Sequence, residues 1–250
     1  MPATAPLAFF LILTGAAMGS FLAAWADRLP RGESIVGPRS RCRSCGVQIG
    51  ARDMVPVVSW LWLGGKCRGC GAAIPKRVFY AEVGGMALAV LAVWVAQSPL
   101  HMGLGALWLW LLMGLVLCDL AAFRLPDGLT GPLFLTGMLL AWEDPSRDLW
   151  GALLGAAVGA GAFLALRIGY RMLRGREGLG LGDVKLMAGI GAGLGLTALP
   201  MVTLVAAVLA MGVAGAMALR RGNRPDGDLA IAFGAYLAGA AGLVWLWPLI

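Results

Sequence analysis

Residues 102–118 read MGLGALWLWLLMGLVLC, and the next residue is Asp119. These 17 positions hold no charged or hydrogen-bonding aliphatic side chain. A helix on a soluble protein keeps one polar face, and this run has none. At 1.5 Å per residue it covers most of a hydrocarbon core about 30 Å thick. Seven further apolar segments flank it, at 7–26, 79–96, 128–142, 149–166, 184–196, 199–219 and 229–249. Two of them are short. Segment 184–196 fits a piece that starts below the membrane surface or is broken or re-entrant, and the bounds of 128–142 are soft. Composition agrees with the pattern: 60% of the 250 residues are hydrophobic, 13% are charged, and mean hydropathy is +0.82. Soluble domains carry about 25% charged residues. The expected fold is therefore an all-α polytopic membrane protein with about eight transmembrane helices. Its 38 glycines fall largely inside the apolar runs, where small residues let helix backbones approach.

The first apolar run lacks a basic region ahead of it and continues through Gly19, Ser20 and Phe21. A retained first helix is expected, not a cleaved signal. Basic residues are enriched in cytoplasmic loops. Ten of the 20 Lys and Arg lie in 27–78, one in 119–127, five in 167–185 and three in 220–228. The alternate loops hold only Arg147. The eight-span arrangement thus puts nearly all positive charge on one face, which should be the cytoplasmic one, with both termini opposite. It also accounts for the net charge of +7 without a nucleic-acid partner. The expected division is a first helix at 1–26, a cytoplasmic loop at 27–78 and a membrane domain at 79–250.

Four of the five cysteines form two pairs inside that loop, in Cys42–Ile49, CRSCGVQI, and Cys67–Ile74, CRGCGAAI. This is a small internal repeat, as in a zinc ribbon. A CxxC turn offers two sulfurs to one tetrahedral ion, and the following Gly accommodates a tight knuckle. Two disulfides or free thiols are the alternative, but a cytoplasmic loop sits in a reducing compartment. A loop of this size has little core of its own, so a metal staple makes physical sense. Cys42, Cys45, Cys67 and Cys70 are the candidate ligands of a structural zinc, since four thiolates leave no open position for water. Cys118 lies alone in an apolar run and reads as packing.

Thirteen residues are acidic, and Glu82, Asp119, Asp127 and Asp183 border apolar segments. Ionisable groups there are costly and tend to be functional or paired. Asp119 ends the third segment and Asp183 precedes the sixth, so both fall at one depth on the basic side. Two carboxylates in a low-dielectric site share a proton, because both cannot easily ionise. That is the chemistry of an aspartic protease. Helix-end carboxylates are the plainer reading: Asp183 would suit a helix N-terminus, and Asp127, after Pro126, would suit a cap. Gly178, Gly180 and Gly182 allow close approach of backbone to a ligand or helix.

At these residues the chain resembles the type IV prepilin peptidase family of bacterial membrane aspartyl proteases. Asp119, followed by LAAFRL and Pro126-Asp127, is similar to the family's first-aspartate segment. Gly180-Leu181-Gly182-Asp183-Val184-Lys185-Leu186 is similar to its GxGDxKL motif. The tetra-cysteine stretch resembles its cytoplasmic zinc-binding loop, and Phe233-Gly234-Ala235-Tyr236-Leu237 resembles an FGPYL-like segment with Ala235 in place of Pro. The resemblance implies cleavage of a basic leader from prepilins or pseudopilins after a Gly, at the cytoplasmic face of the bacterial inner membrane. It implies Asp119 and Asp183 as the catalytic pair, with Asp127, Gly180, Gly182 and Lys185 in support. It further implies N-methylation of the new N-terminus with S-adenosylmethionine, a reaction associated with the segment holding Gly64 and Gly65. Partners are then the pilin-type substrate of a type IV pilus or type II secretion system and membrane lipid. Two rivals differ in class. A transporter or channel would use Asp119 and Asp183 as a proton or cation site, but would place them near the midplane, within paired broken helices. A zinc-loop scaffold that only binds a secretion apparatus leaves two costly carboxylates at one depth unexplained.

Overall fold

The computed structural model describes residues 4–37, 39–176, 178–221 and 231–247. Among them are nine α-helices: α1 (Ala5–Arg28), α2 (Val58–Trp62), α3 (Lys76–Val95), α4 (Pro99–Ala122), α5 (Asp127–Glu143), α6 (Leu149–Arg174), α7 (Leu181–Leu194), α8 (Leu199–Arg221) and α9 (Phe233–Trp245). Every apolar segment is a helix, and α2 is a short addition inside the cysteine loop. Five helices, α1, α3, α4, α6 and α8, are long and apolar enough to cross a membrane. The 14 residues of α7 reach only about 21 Å. Large apolar side chains such as Phe9, Trp94, Leu135, Trp150 and Leu204 stand exposed along the helices, an arrangement suited to lipid. Most of the basic 220–228 loop, and both ends of segment 229–249, lie outside the described residues.

The chain divides into two compact units, 1–110 and 111–250, with α4 running across the division. In the first unit α1 packs along α3. The contact is backbone on backbone: a methyl on Gly15 or Gly19 would overlap the main chain of Gly85 or Ala81. Trp110 closes the same region by donating its indole N–H to the Gly85 carbonyl at 2.9 Å.

The second unit is organised on α7, which packs against both α5 and α6. Its glycines divide between these neighbours by helical spacing. Gly189 and Gly193, four apart, face α5: trial methyls would sit 2.8 Å from Leu133 on Gly189, and 2.7 Å from the Gly193 nitrogen on Gly137. Gly191 faces the backbone of Gly155 on α6. Arg147 donates to the carbonyls of Gly193 and Ala192 at 2.6 and 3.0 Å, closing the C-terminal end of α7. The one basic residue of the 143–148 loop is thus held as a helix cap. Asp148, in the same loop, caps α6 by accepting the Gly151 amide at 2.9 Å. Finally, α9 packs against α8 and α7.

Candidate active site and metal centre

Asp119 lies in the last turn of α4 and Asp183 in the first turn of α7, and both are buried, at 5% and 9% exposure. They converge on Gly234, in the first turn of α9. A methyl placed on Gly234 would be 2.9 Å from Asp183 Oδ1 and 3.1 Å from Asp119 Oδ2. Two carboxylate oxygens from residues 64 positions apart therefore line one small niche. Each aspartate also accepts a backbone N–H: Ala235 donates to Asp119 Oδ2 at 2.8 Å, and Gly180 donates to Asp183 Oδ2 at 3.1 Å. The second bond is local helix chemistry, an acid in the first turn reaching back to the amide that starts the helix. The first joins α4 to α9 across 116 positions, and nothing local requires it.

The surrounding chain is fixed from several sides. Arg167 of α6 donates to the Leu179 carbonyl, and the Tyr170 ring covers Gly178, so α6 holds the glycine segment that leads into α7. At the end of α4, Phe123 takes a left-handed backbone (φ +52°) while its N–H bonds the Asp119 carbonyl at 2.8 Å. Such a conformation is unusual for a bulky residue and costs of order 1–3 kcal/mol. It turns the chain towards Leu125, whose side chain lies against Gly182 and Gly234. Asp127 begins α5 and pairs with Lys185 of α7 at 2.6 Å, both side chains being exposed. Asp127 is thus tied to Lys185 and Gly180 starts α7. Leu125, Arg167, Gly234 and Ala235 join the site without having been singled out as site residues. The FGAYL stretch was the only signal that could have found two of them.

Glu82, the fourth boundary carboxylate, belongs to the first unit. It is buried and accepts the Val57 amide at 2.7 Å. Val57 has φ +64°, a strained state for a β-branched residue. Glu82 therefore braces a turn that aims α2, whose Trp60 ring stacks on Phe79 with centroids 4.5 Å apart.

The four loop cysteines form one cluster, with all four Sγ atoms within 4.8 Å of one another. Cys42 and Cys70, one from each pair, have their sulfurs 3.8 Å apart. A tetrahedral ion with Zn–S bonds of about 2.3 Å spaces its sulfurs by about 3.8 Å, so the cluster fits zinc. The two knuckles are built alike. Gly46 donates to the Cys42 carbonyl at 3.0 Å and Gly71 to the Cys67 carbonyl at 2.9 Å, with φ of +72° and +71°. A left-handed turn of this kind needs glycine. Amides of Cys45 and Ser44 pull the Cys42 thiol down to about 6, whereas Cys70, despite the lowering pull of the Ala72 amide, is pushed up to about 12 by Cys45, burial and the other sulfurs, so one thiolate is favoured in the cluster and the others await a metal. Asp27 anchors the loop, pairing with Arg31, Arg43 and Arg77, and Arg68 grips Asp53 with two nitrogens at 2.7 and 2.9 Å. Gly64 and Gly65 (φ +58° and +68°) turn the chain into the second knuckle, and a methyl on Gly65 would strike the Trp60 ring.

Comparison with known proteins falls along the same division. Residues 13–96 match the model of the bacterial peptidase A24 N-terminal domain, and residues 104–215 match that of the type IV leader peptidase family. A prepilin leader peptidase/N-methyltransferase of Dichelobacter nodosus is 36% identical over 214 residues, covering 86% of this chain and 73% of that protein. One from Aeromonas hydrophila is 39% identical over 217 residues, with the same coverage. One from Stutzerimonas stutzeri is 33% identical, over 98% of this chain and 93% of its own. No solved structure matches.

Proposed function

Because the chain belongs to the type IV leader peptidase family, we propose that it removes the basic leader of type IV prepilins or pseudopilins after a glycine, with Asp119 and Asp183 as the catalytic pair. The observation that carries the reading is the convergence of both carboxylates on Gly234. Two acids this close in a buried site hold one proton between them, and the pair titrates as a unit. The ionised aspartate takes a proton from water, and the hydroxyl adds to the scissile carbonyl carbon. The protonated aspartate donates to the carbonyl oxygen. When the C–N bond breaks, the proton first taken from water passes to the departing amine. The leader keeps a new carboxyl group and the mature chain a free N-terminus. The amides of Ala235 and Gly180 orient the two carboxylates throughout.

The protein is a multi-pass protein of the inner membrane. The basic loops and the aspartate pair are assigned to the cytoplasmic face, both termini to the other, following the distribution of Lys and Arg. A prepilin then presents its basic leader in water and its apolar helix in lipid, so that the bond between them arrives at the depth of the pair.

The cysteine cluster is assigned to a structural zinc, which ties two knuckles that have little core between them. Relatives carry N-methyltransferase in their names, and this chain is assigned the same second activity. S-adenosylmethionine would supply the methyl group. A cavity of about 400 Å³ is lined by Arg52, Asp53, Ser59, the exposed Trp62 ring, Leu63 and Arg68, just ahead of Gly64 in the chain. Its size is within the usual range for small-molecule sites. Trp62 suits an adenine ring and Arg52 a carboxylate.

Incubating the purified protein with a prepilin peptide and S-adenosylmethionine, and weighing the products, tests both activities together. Loss of the leader mass, followed by a gain of one methylene on the mature fragment, is expected. An unchanged peptide contradicts the peptidase assignment, and cleavage without the added mass contradicts only the methyl transfer.

A further inference from the structure

The cavity assigned to the methyl donor has a hinge in its wall. Val55 lines it on one side of Pro56-Val57, and Val58, Ser59 and Trp62 of α2 line it on the other. Between them the chain makes a γ-turn. The Val58 N–H reaches the Pro56 carbonyl at 2.6 Å, and Val57, at the centre, has φ +64° and ψ −55°. This form of the turn is rare and strained, most of all for a β-branched residue. Such a conformation persists only where its surroundings over-determine it. Here the brace is Glu82, which accepts the Val57 N–H at 2.7 Å. Glu82 is buried in the second turn of the apolar helix α3, where a carboxylate is costly, and the peptidase chemistry makes no use of it. Its own place is fixed by α1, since a methyl on Gly19 would lie 2.7 Å from Glu82 Cα. Phe79, one turn earlier on α3, holds α2 at a second point by stacking on Trp60.

We propose that Glu82 is a positioning residue for methyl transfer: through the Val57 γ-turn it holds Val55 and the α2 side chains Ser59 and Trp62 at the spacing that receives S-adenosylmethionine. This deepens the methyl-transfer reading of the cavity and rests on it. Without the carboxylate, the Val57 N–H loses its buried acceptor and the strained φ loses its compensation. The turn then relaxes towards the negative φ that valine prefers. A rotation at that one residue swings α2 against Val55, and the two parts of the wall no longer keep their spacing. The turn needs an acceptor oxygen at this reach, not a charge, which separates Glu82→Gln from Glu82→Ala. Asp119 and Asp183 belong to the other unit, so leader cleavage reports folding independently of the cavity.

The test reads both activities on the same samples of full-length protein in lipid. A peptide that already carries the mature N-terminus gives the KM for S-adenosylmethionine free of cleavage, and an uncut prepilin peptide gives the cleavage rate. Glu82→Ala should raise that KM about tenfold or more, as a displacement of about 1 Å in a site can, while cleaving the leader at close to the wild-type rate. Glu82→Gln, whose amide oxygen accepts the same bond, should keep a KM close to wild type. Val57→Gly removes the steric cost of positive φ, so adding it to Glu82→Ala should recover much of the lost affinity. A glutamate that only fills space predicts a further loss instead. An unchanged KM in Glu82→Ala overturns the proposal, as does a Glu82→Gln variant as impaired as Glu82→Ala, or loss of both activities in Glu82→Ala and in the double variant. Trp62→Ala tests the cavity itself. An unchanged KM there removes the cavity reading and the proposal together, whereas a raised KM there beside an unchanged one in Glu82→Ala removes the proposal alone. A wild type that transfers no methyl group removes both.

Discussion

Asp119, Asp183 and Asp127 all stand at the ends of helices, where carboxylates are ordinary. Their surroundings separate them. Asp119 and Asp183 are buried and share the niche at Gly234, whereas Asp127 is exposed and paired with Lys185. An exposed pair is worth about 0–1 kcal/mol. Asp127→Asn should therefore keep most leader cleavage, within a few-fold of wild type in a peptide assay. A loss of a hundredfold or more would place Asp127 among the reacting groups. At this scale the sequence was legible in part. Motif spacing singled out the two buried aspartates and the four cysteines, because costly residues in an apolar chain stand out. Leu125 and Arg167 could not be found that way, since one leucine among many and one of 20 Lys and Arg residues are unremarked in such a sequence. Ala235 did stand out, as a departure from a proline-containing pattern, but its physical consequence needed the fold. Its N–H, which proline lacks, is the donor to Asp119.

At the scale of elements, α7 is too short to be held by length alone and is fastened by its glycines. Gly191→Val would push a branched side chain into the Gly155 backbone. Overpacking of this kind costs about 1–3 kcal/mol or more. It should lower the thermal midpoint of the purified protein by several degrees and reduce cleavage with it, because Asp183 rides on α7. A midpoint equal to wild type would contradict the close α6–α7 contact. The glycine periodicity suggested tight packing, yet it could not say which neighbour each glycine faced, because partner choice is a tertiary property. The cysteine loop behaves differently. Its two knuckles share five of eight residues, and the structure builds them alike down to the left-handed glycine. Replacing Cys42 and Cys45 by Ser together should release the metal, measured by elemental analysis, and make loop 27–78 more sensitive to protease. Cleavage of the leader should survive better than methylation, since the aspartates belong to the other unit. Wild-type protein purified without metal, yet with an ordered loop, would count against zinc as its staple.

Over the whole molecule, the run from 102 to 118 and its neighbours made the membrane class plain, because bilayer-length apolar helices have few other uses. Each of the eight apolar segments holds a helix, and among the described residues five of these are long and apolar enough to span unaided. What a linear reading could not supply is how α4, α7 and α9 meet. The buried ends of two of these helices and the first turn of the third assemble one niche from residues 119, 183 and 234. A single carboxylate cannot fill both halves of an aspartic mechanism, and this is where the account is most exposed. The direct measurement is cleavage of a prepilin peptide, followed by mass, using wild type and the isosteric variants Asp119→Asn and Asp183→Asn in matched amounts and with matched thermal midpoints. Each variant alone should lose at least about a thousandfold in rate, and the double variant should be no worse than either single one, because the two residues act as a unit. Near-normal cleavage by either single variant would contradict the aspartate pair.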